Sequence, residues 1–519
     1  MSALTNTAFR RLAFSKFTML SQTSTLKIAA SFSTTSVSRD KVLTLDSINS
    51  RVRDMEYAVR GALPIRAEQI EAELKTAHKY PFSQTVYCNI GNPQQLGQQP
   101  ITFLRQVSAL VDYPQLLAPE NKDKTSLLFP QDAIERASQI MSVVGSSVGA
   151  YSGSTGYLKI RQDVADFIEA RDGYPSNPAN IQLTNGASGA VERVLELIVS
   201  NPDVGIMIPI PQYPLYTASL TRFGAHAVSY YLKEEEGWGM DIAGLSRALA
   251  ESKAKGIDVR AIVVINPGNP TGGVLSEQNM RDIVTFCENQ NLVILADEVY
   301  QTNIFAPLKR PFVSFKKVVS EMRSTVELFS FHSISKGMIG ECGRRGGYLE
   351  MHNISDSVAS ILYKMASVSL CSNVLGQIAI DIMVNPPKPA DPSFDQYNTE
   401  IDTIYKSLKS RSQKLCNAFN AQENISCQPA QGSMYLFPQI NLPKKFLDFC
   451  SKNSKTPDEE YCMRMLESTG VCVVPGSGFG QLAGTWHFRC TFLPLEAHFD
   501  AFIASFDTFH HNFMNEFRD

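Results

Sequence analysis

Three stretches constrain this chain more than any bulk property: VGIMIPIP (Val204 to Pro211), RAIVVINP (Arg260 to Pro267) and LVILADEVY (Leu292 to Tyr300). Each is apolar over the length of a strand, and polar residues do not alternate with apolar ones along it. Such runs, rich in branched residues, are strands buried on both faces. Around them the apolar positions repeat at helical spacing. Val191, Val194, Leu195 and Ile198 precede the first run, and Met280, Ile283, Val284 and Cys287 follow Ser276, a residue suited to cap a helix. The pattern predicts an α/β fold with a mostly parallel sheet covered by helices, whose ligand lies beyond the carboxyl ends of the strands.

With 519 residues and 44% hydrophobic content, the chain has material for two to four domains at roughly 150 residues each. Its character changes after about Ser372. A proline-rich link, VNPPKPADPSFD, begins at Val384 and precedes a long helix expected near Tyr397 to Phe419, then short strands around Gly432 to Ile440 and Gly470 to Pro475. These features predict a large domain over 126–372 and a smaller α+β domain over 373–519, joined by an N-terminal segment over 43–125.

Residues 1–39 stand apart from the rest. They hold Arg10, Arg11, Lys16, Lys27 and Arg39, many serines and threonines, and no Asp or Glu. Phe9, Leu12, Ala13, Phe17 and Leu20 share a helical face that the basic residues largely avoid. This is the profile of a mitochondrial transit peptide, cleaved near Phe32 to Asp40, and it predicts the mitochondrial matrix as destination. A formal charge of -3 offers no basic field for nucleic acid, and no apolar stretch is long enough to span a bilayer. The ten cysteines are scattered singly, with no zinc spacing, so a reducing compartment and no metal site are expected. Cys342 reads as a packing residue in a crowded loop, and His510 and His511 read as a solvated tail.

The polar clusters follow these strands or open helices. SFHSISKGMIGECGRRGGY (Ser330 to Tyr348) sets one lysine among hydroxyls and glycines, with two arginines eight and nine residues downstream. Lysine is costly to bury unless its charge is paired or its amine is used. Imine formation with an aldehyde cofactor is such a use, and pyridoxal 5'-phosphate also needs a carboxylate for its ring nitrogen, a donor for its ring oxygen and an anion site. Lys336 is the candidate amine, and Asp297, ending LVILAD, the candidate carboxylate. Tyr300 and Asn269, the latter in NPGNPTGG, are suited to donate to the ring oxygen. In TNGASGAVERVL, Ala187, Ser188 and Gly189 open a helix whose free N–H groups favour an anion. Ser333 adds a hydroxyl, one of Arg344 or Arg345 adds a fixed charge, and Tyr213 in PQYPLY is placed to stack on the ring. Singly, each has a plainer reading as turn, cap or surface charge; their joint order points to the cofactor. GSGFGQ lacks the glycine spacing of a dinucleotide loop and reads as a turn near the site.

Taken in order, AYSGSTGYLKIR, NGASGA, NPGNPTGG, ADEVY, SISKGMIGECGRRGGY and HFRCTFLP resemble the signature elements of the class I/II, fold-type I pyridoxal-phosphate aminotransferases. The resemblance covers roughly Leu43 to the C-terminus. Within that family GECGRRGGY, QGSMYLFP and VVPGSGFGQ are most similar to the alanine aminotransferases. The resemblance implies that Arg489 clamps the substrate α-carboxylate, with Gly91 and Asn269 beside it. It also implies a homodimer in which Tyr151 reaches the phosphate of the neighbouring active site. Arg345 fits the alanine-type spacing after the lysine, and Arg344 that of aspartate-type relatives. The implied reaction is ping-pong transfer from L-alanine to 2-oxoglutarate, with Lys336 carrying the proton and Asp297 and Tyr300 tuning the ring. Alternatives on the same scaffold are an aminotransferase for kynurenine or aromatic amino acids, and a lyase resembling the aminocyclopropane carboxylate synthases.

Overall fold

The three apolar runs become central strands of an eight-stranded sheet in the computed structural model, which describes residues 43–57, 61–76, 79–145 and 147–518. The expected transit peptide lies outside the described residues. The strands are β1 (Ile181–Asn185), β2 (Val204–Ile210), β3 (His226–Lys233), β4 (Gly239–Met240), β5 (Asp258–Ile265), β6 (Val293–Asp297), β7 (Leu328–Ser333) and β8 (Gly346–His352), in the order β1-β8-β7-β6-β5-β2-β3-β4. From β3 through β2, β5 and β6 to β7 all neighbours are parallel. Alternate residues of each strand enter opposite layers. Met207, Ile262 and Ile294 pack with helices α3 (Ile242–Ala254), α4 (Glu277–Gln290) and α5 (Phe315–Met322). Ile206, Val263 and Leu295 pack with α1 (Gly186–Ile198) and α2 (Leu215–Phe223). Ser276 caps α4 as expected, its hydroxyl accepting from the Asn279 N–H at 3.1 Å.

One strand was not legible as such. GGYLEMH, which follows the two arginines, runs antiparallel between β1 and β7. Its glycines admit it there: a Cβ on Gly347 would lie 2.5 Å from the Gly186 carbonyl carbon and 2.6 Å from the Ala187 nitrogen. Bare backbone thus brings the arginine loop against the start of α1.

Residues from Asn49 onward form one compact unit. Ahead of it, Thr44 and Ser47 close a small turn, with the Thr44 N–H donating to the Ser47 hydroxyl at 2.8 Å. Within the compact unit, the long helix α6 (Phe394–Asn420) precedes a three-stranded antiparallel sheet of β9 (Tyr435–Leu436), β10 (Val474–Pro475) and β11 (Phe488–Thr491). The strand β11 lies in the middle and pairs Arg489 with Val474 and Thr491 with Tyr435. Behind it, α7 (Pro457–Thr469) and α8 (Glu496–Phe517) complete a core shared with Leu63, Ala67, Ile70 and Cys88. Phe499, Phe502, Phe506, Phe509, Phe513 and Phe517 repeat every three or four residues along α8 and are all buried. Full burial of one such ring stabilises by roughly 1.5–3 kcal/mol.

His510 corrects the expectation of a solvated tail. It lies on the inner side of α8, held between the Tyr461 hydroxyl at 2.9 Å and the Glu423 carbonyl at 2.7 Å, and burial lowers its pKa. The phenylalanine stripe carries it inward, one residue from Phe509, while His511 stays exposed. Among the described residues, no helix is long and apolar enough to cross a membrane, and no group of three His, Cys, Asp or Glu could hold a metal ion.

Candidate active site

A cavity of about 420 Å³ opens beyond the carboxyl ends of β5, β6 and β7. Its charged lining residues are three cations, Lys336, Arg345 and Arg489, and one carboxylate, Asp297, so the cavity favours an anionic guest.

Asp297 is the last residue of β6 and is fully buried. One oxygen, Oδ2, accepts from the Tyr216 hydroxyl at 2.9 Å, and the other, Oδ1, has no hydrogen-bond partner among the described residues. Burial pushes its pKa up to about 6, against the Tyr216 hydrogen bond, the Val299 N–H and the nearby Lys336 charge, which pull it down. A buried acceptor without a donor costs stability, so this oxygen is matched to a guest that brings an N–H. Tyr300 follows on the next turn, receiving from the Asn269 amide at 3.4 Å and donating to the Tyr435 hydroxyl at 3.4 Å.

Lys336 stands three residues after β7 ends at Ser333, and its amine donates to the Gly91 carbonyl at 2.7 Å. A side chain on Gly91 has no room: its Cβ would lie 2.2 Å from the Tyr435 hydroxyl oxygen and 3.0 Å from the Lys336 nitrogen. Cys342 lines the same wall and directs its thiol at the Ser335 carbonyl, 3.0 Å away.

The open α1 N-terminus and the arginine loop meet on the opposite wall. Arg345 donates to the Asn185 carbonyl at 3.1 Å, the Ser188 hydroxyl at 3.2 Å and the Cys342 carbonyl at 3.0 Å. Arg344 turns away and pairs with Glu341 at 3.2 Å. Ala187, Ser188, Ser333 and Ser335 line the cavity beside Arg345. Gly189 does not; it faces a separate recess with Glu192 and Arg193. Tyr213 forms another wall, its hydroxyl 2.7 Å from that of Tyr57.

Arg489 closes the far end. It is only 1% exposed and has no carboxylate partner among the described residues. One terminal nitrogen donates to Asn269 Oδ1 at 3.0 Å, the other to the Asn89 carbonyl, and Nε is unpaired. The guanidinium lies between the rings of Tyr435 and Phe479, 4.2 and 4.6 Å from their centroids. A buried cation held by neutral groups alone is costly until an anion joins it. GSGFGQ, expected to be a turn near the site, supplies Phe479, one of the two rings of this stack. Tyr151 lies outside the cavity on an exposed loop, with 76% of its surface in solvent.

Sequence reasoning missed Tyr57, Tyr216 and Tyr435. Tyr216 had a signal in its spacing, three residues past Tyr213 at the start of a helix; Tyr435 had one in QGSMYLFP, noted only as a likeness. Burial pushes the Tyr435 phenol up, but Lys336, Arg489 and the Tyr300 hydrogen bond outweigh it and hold the group below the usual tyrosine range.

The residues present fit pyridoxal 5'-phosphate. The orphaned Asp297 oxygen matches the protonated ring nitrogen, the Lys336 amine matches the aldehyde, and the α1 terminus with Arg345 matches a phosphate.

Residues 116–500 match the family described as aminotransferase class I and II. The chain is 50% identical to alanine aminotransferase 2, mitochondrial, of Arabidopsis thaliana over 96% of its length and 91% of the relative's. It is 48% identical to a probable mitochondrial alanine aminotransferase of Dictyostelium discoideum, over 92% and 90% of the two chains. Among solved structures, alanine aminotransferase from Pyrococcus furiosus superposes with a TM-score of 0.70 at 22% identity, over 90% of this chain and all of that one. The eight-stranded sheet with its helical layers is therefore the fold-type I architecture, and this chain belongs to the class I and II aminotransferases.

Proposed function

We propose that this enzyme, dependent on pyridoxal 5'-phosphate, transfers the amino group of L-alanine to 2-oxoglutarate, giving pyruvate and L-glutamate. The observation that carries an amino or oxo acid as substrate is Arg489, a buried guanidinium with no carboxylate partner among the described residues, facing the cavity that also holds Lys336. The choice of alanine rests on relatives at 48–50% identity that bear that name. When bound, the cofactor supplies the aldehyde and the electron sink.

The chain's own residues do the rest. Arg489 grips the substrate carboxylate in two-pronged fashion, with Asn269 and the Gly91 backbone fixing its orientation. Lys336, anchored on the Gly91 carbonyl, would carry the proton from the substrate α-carbon to the cofactor's reacting carbon. Asp297, oriented by Tyr216, would hold the proton of the cofactor's ring nitrogen, with Tyr300 and Asn269 as donors for its ring oxygen and Tyr213 as a stacking partner. Ala187, Ser188, Ser333 and Arg345 would hold its phosphate, with Gly189 contributing only through the helix it helps to open. Arg345 is preferred over Arg344 because its guanidinium points at the Ser188 hydroxyl, whereas that of Arg344 is engaged by Glu341.

Tyr151 is assigned to the neighbouring active site of a homodimer, on the strength of its exposure away from its own cavity. A small domain built from 43–125 and 373–519, beside a large one over 126–372, is supported by the core that joins Leu63 to Cys88 with residues 408–517; Ile101 to Val111 and Val374 to Val384 pack instead with residues 133–183. The basic leader and two relatives named as mitochondrial support the matrix as destination. The test is a product assay on the holoenzyme: beyond a single turnover, pyruvate continues to form from L-alanine only when 2-oxoglutarate is present. Sustained pyruvate formation without an acceptor, or an eliminated or cyclised product, overturns this reading.

A further inference from the structure

One side chain touches both halves of the site. The ring of Tyr435 lies 4.2 Å beneath the Arg489 guanidinium, and its hydroxyl oxygen and the Lys336 nitrogen both crowd the point where a Gly91 side chain would begin, at 2.2 and 3.0 Å. The Tyr300 hydroxyl donates to it at 3.4 Å, which leaves a second lone pair free for another donor. Gly91 already takes one amine hydrogen of Lys336 at 2.7 Å.

We infer that Tyr435 is a positioning residue for Lys336: its hydroxyl and the Gly91 carbonyl hold two hydrogens of the free amine, so that the lone pair faces the substrate α-carbon held by Arg489. The inference rests on the reaction proposed above and adds to it a residue with two separable jobs. The ring sets where the carboxylate clamp lies, and the hydroxyl sets where the base points. The titratable and charged groups facing this phenol are Lys336, Arg489, Tyr300, Cys342 and Tyr213; burial pushes it up, and the two cations with the Tyr300 hydrogen bond hold it below its ordinary range. Nothing in this role requires Tyr435 to give up its proton during turnover.

Because the two jobs sit on different atoms, two variants separate them. Tyr435→Phe keeps the ring on Arg489, so the KM for L-alanine stays within about two-fold while kcat falls about 10- to 100-fold. In the same holoenzyme without substrate, the pH midpoint of the cofactor absorbance change moves by about half a unit or more. Tyr435→Leu removes ring and hydroxyl, and raises KM about ten-fold on top of the kcat loss. A Tyr435→Phe enzyme with kcat within two-fold of wild type, or one that loses kcat and binding together with an unmoved midpoint, overturns the inference while wild-type turnover leaves the proposed reaction standing. A wild type that makes no pyruvate from alanine overturns the reaction itself and this role with it.

Discussion

At one end of the cavity a carboxylate is buried with an unpaired oxygen; at the other a guanidinium is buried with an unpaired nitrogen. The Asp297 end is local in sequence. Asp297 and Tyr300 sit on one turn, and Ser333, Lys336 and Arg345 on one strand and its following loop. The Arg489 end is assembled from Asn89, Gly91, Asn269, Tyr435 and Phe479, which come from well-separated stretches of the chain. Each end carries the cost of an isolated charge, and each is relieved only by a guest of the opposite character. The first suits a cofactor that stays, the second a substrate that comes and goes.

The largest expected effect removes the group between the two ends. Lys336→Ala should fold and still take up cofactor, yet lose about 10⁴-fold or more in kcat; near-normal turnover of the purified variant refutes its role. Next, Arg489→Lys keeps the charge but loses the fork, and kcat/KM for L-alanine should fall about 10²-fold with the cofactor spectrum unchanged. A spectral change as large as the kinetic one would mean that the two ends are not independent.

The third prediction concerns charge burial at Asp297. Its folded pKa lies above the unfolded one, so the cost of ionising it is absent below pH 3.8, grows towards about 6 and is complete above that. In the cofactor-free chain, Asp297→Asn should therefore be more stable than wild type by about 3 kcal/mol at pH 7.5, with most of the gain gone near pH 4.5. Urea unfolding at the two values measures this, and an equal gain at both would show that ionisation is not the source. The smallest effect belongs to Tyr216→Phe. Losing the donor pushes Asp297 up further, so the acid limb of the kcat profile should move up by about one pH unit with only a few-fold loss at the optimum. An unmoved limb would detach Tyr216 from the comparison.

The same contrast explains what could be read without coordinates. The continuous apolar runs foretold the parallel strands because a strand covered on both faces has no polar side to show. The Asp297 end could be read because strand-end loops place chemistry at short sequence spacing. Arg489 and Gly91 came only through likeness to a family, since an arginine in a short strand carries no local mark of what lies opposite it. Tyr216 and Tyr435 stayed hidden because a phenol in an apolar run looks like core until its hydroxyl partner is known. The strand β8 was hidden for a related reason: GRRGG reads as loop, and only the close approach of Gly347 to the α1 backbone turns it into sheet.

The phenylalanine stripe of α8 has a consequence for the order of assembly. Phe506 and Phe419 pack behind Phe488, next to Arg489 on β11, and α8 follows in the chain every residue that receives the cofactor. The substrate clamp therefore gains its backing only after the residues that receive the cofactor have emerged. A nascent or C-terminally clipped chain would be able to load its vitamin-derived partner before it could hold an amino acid.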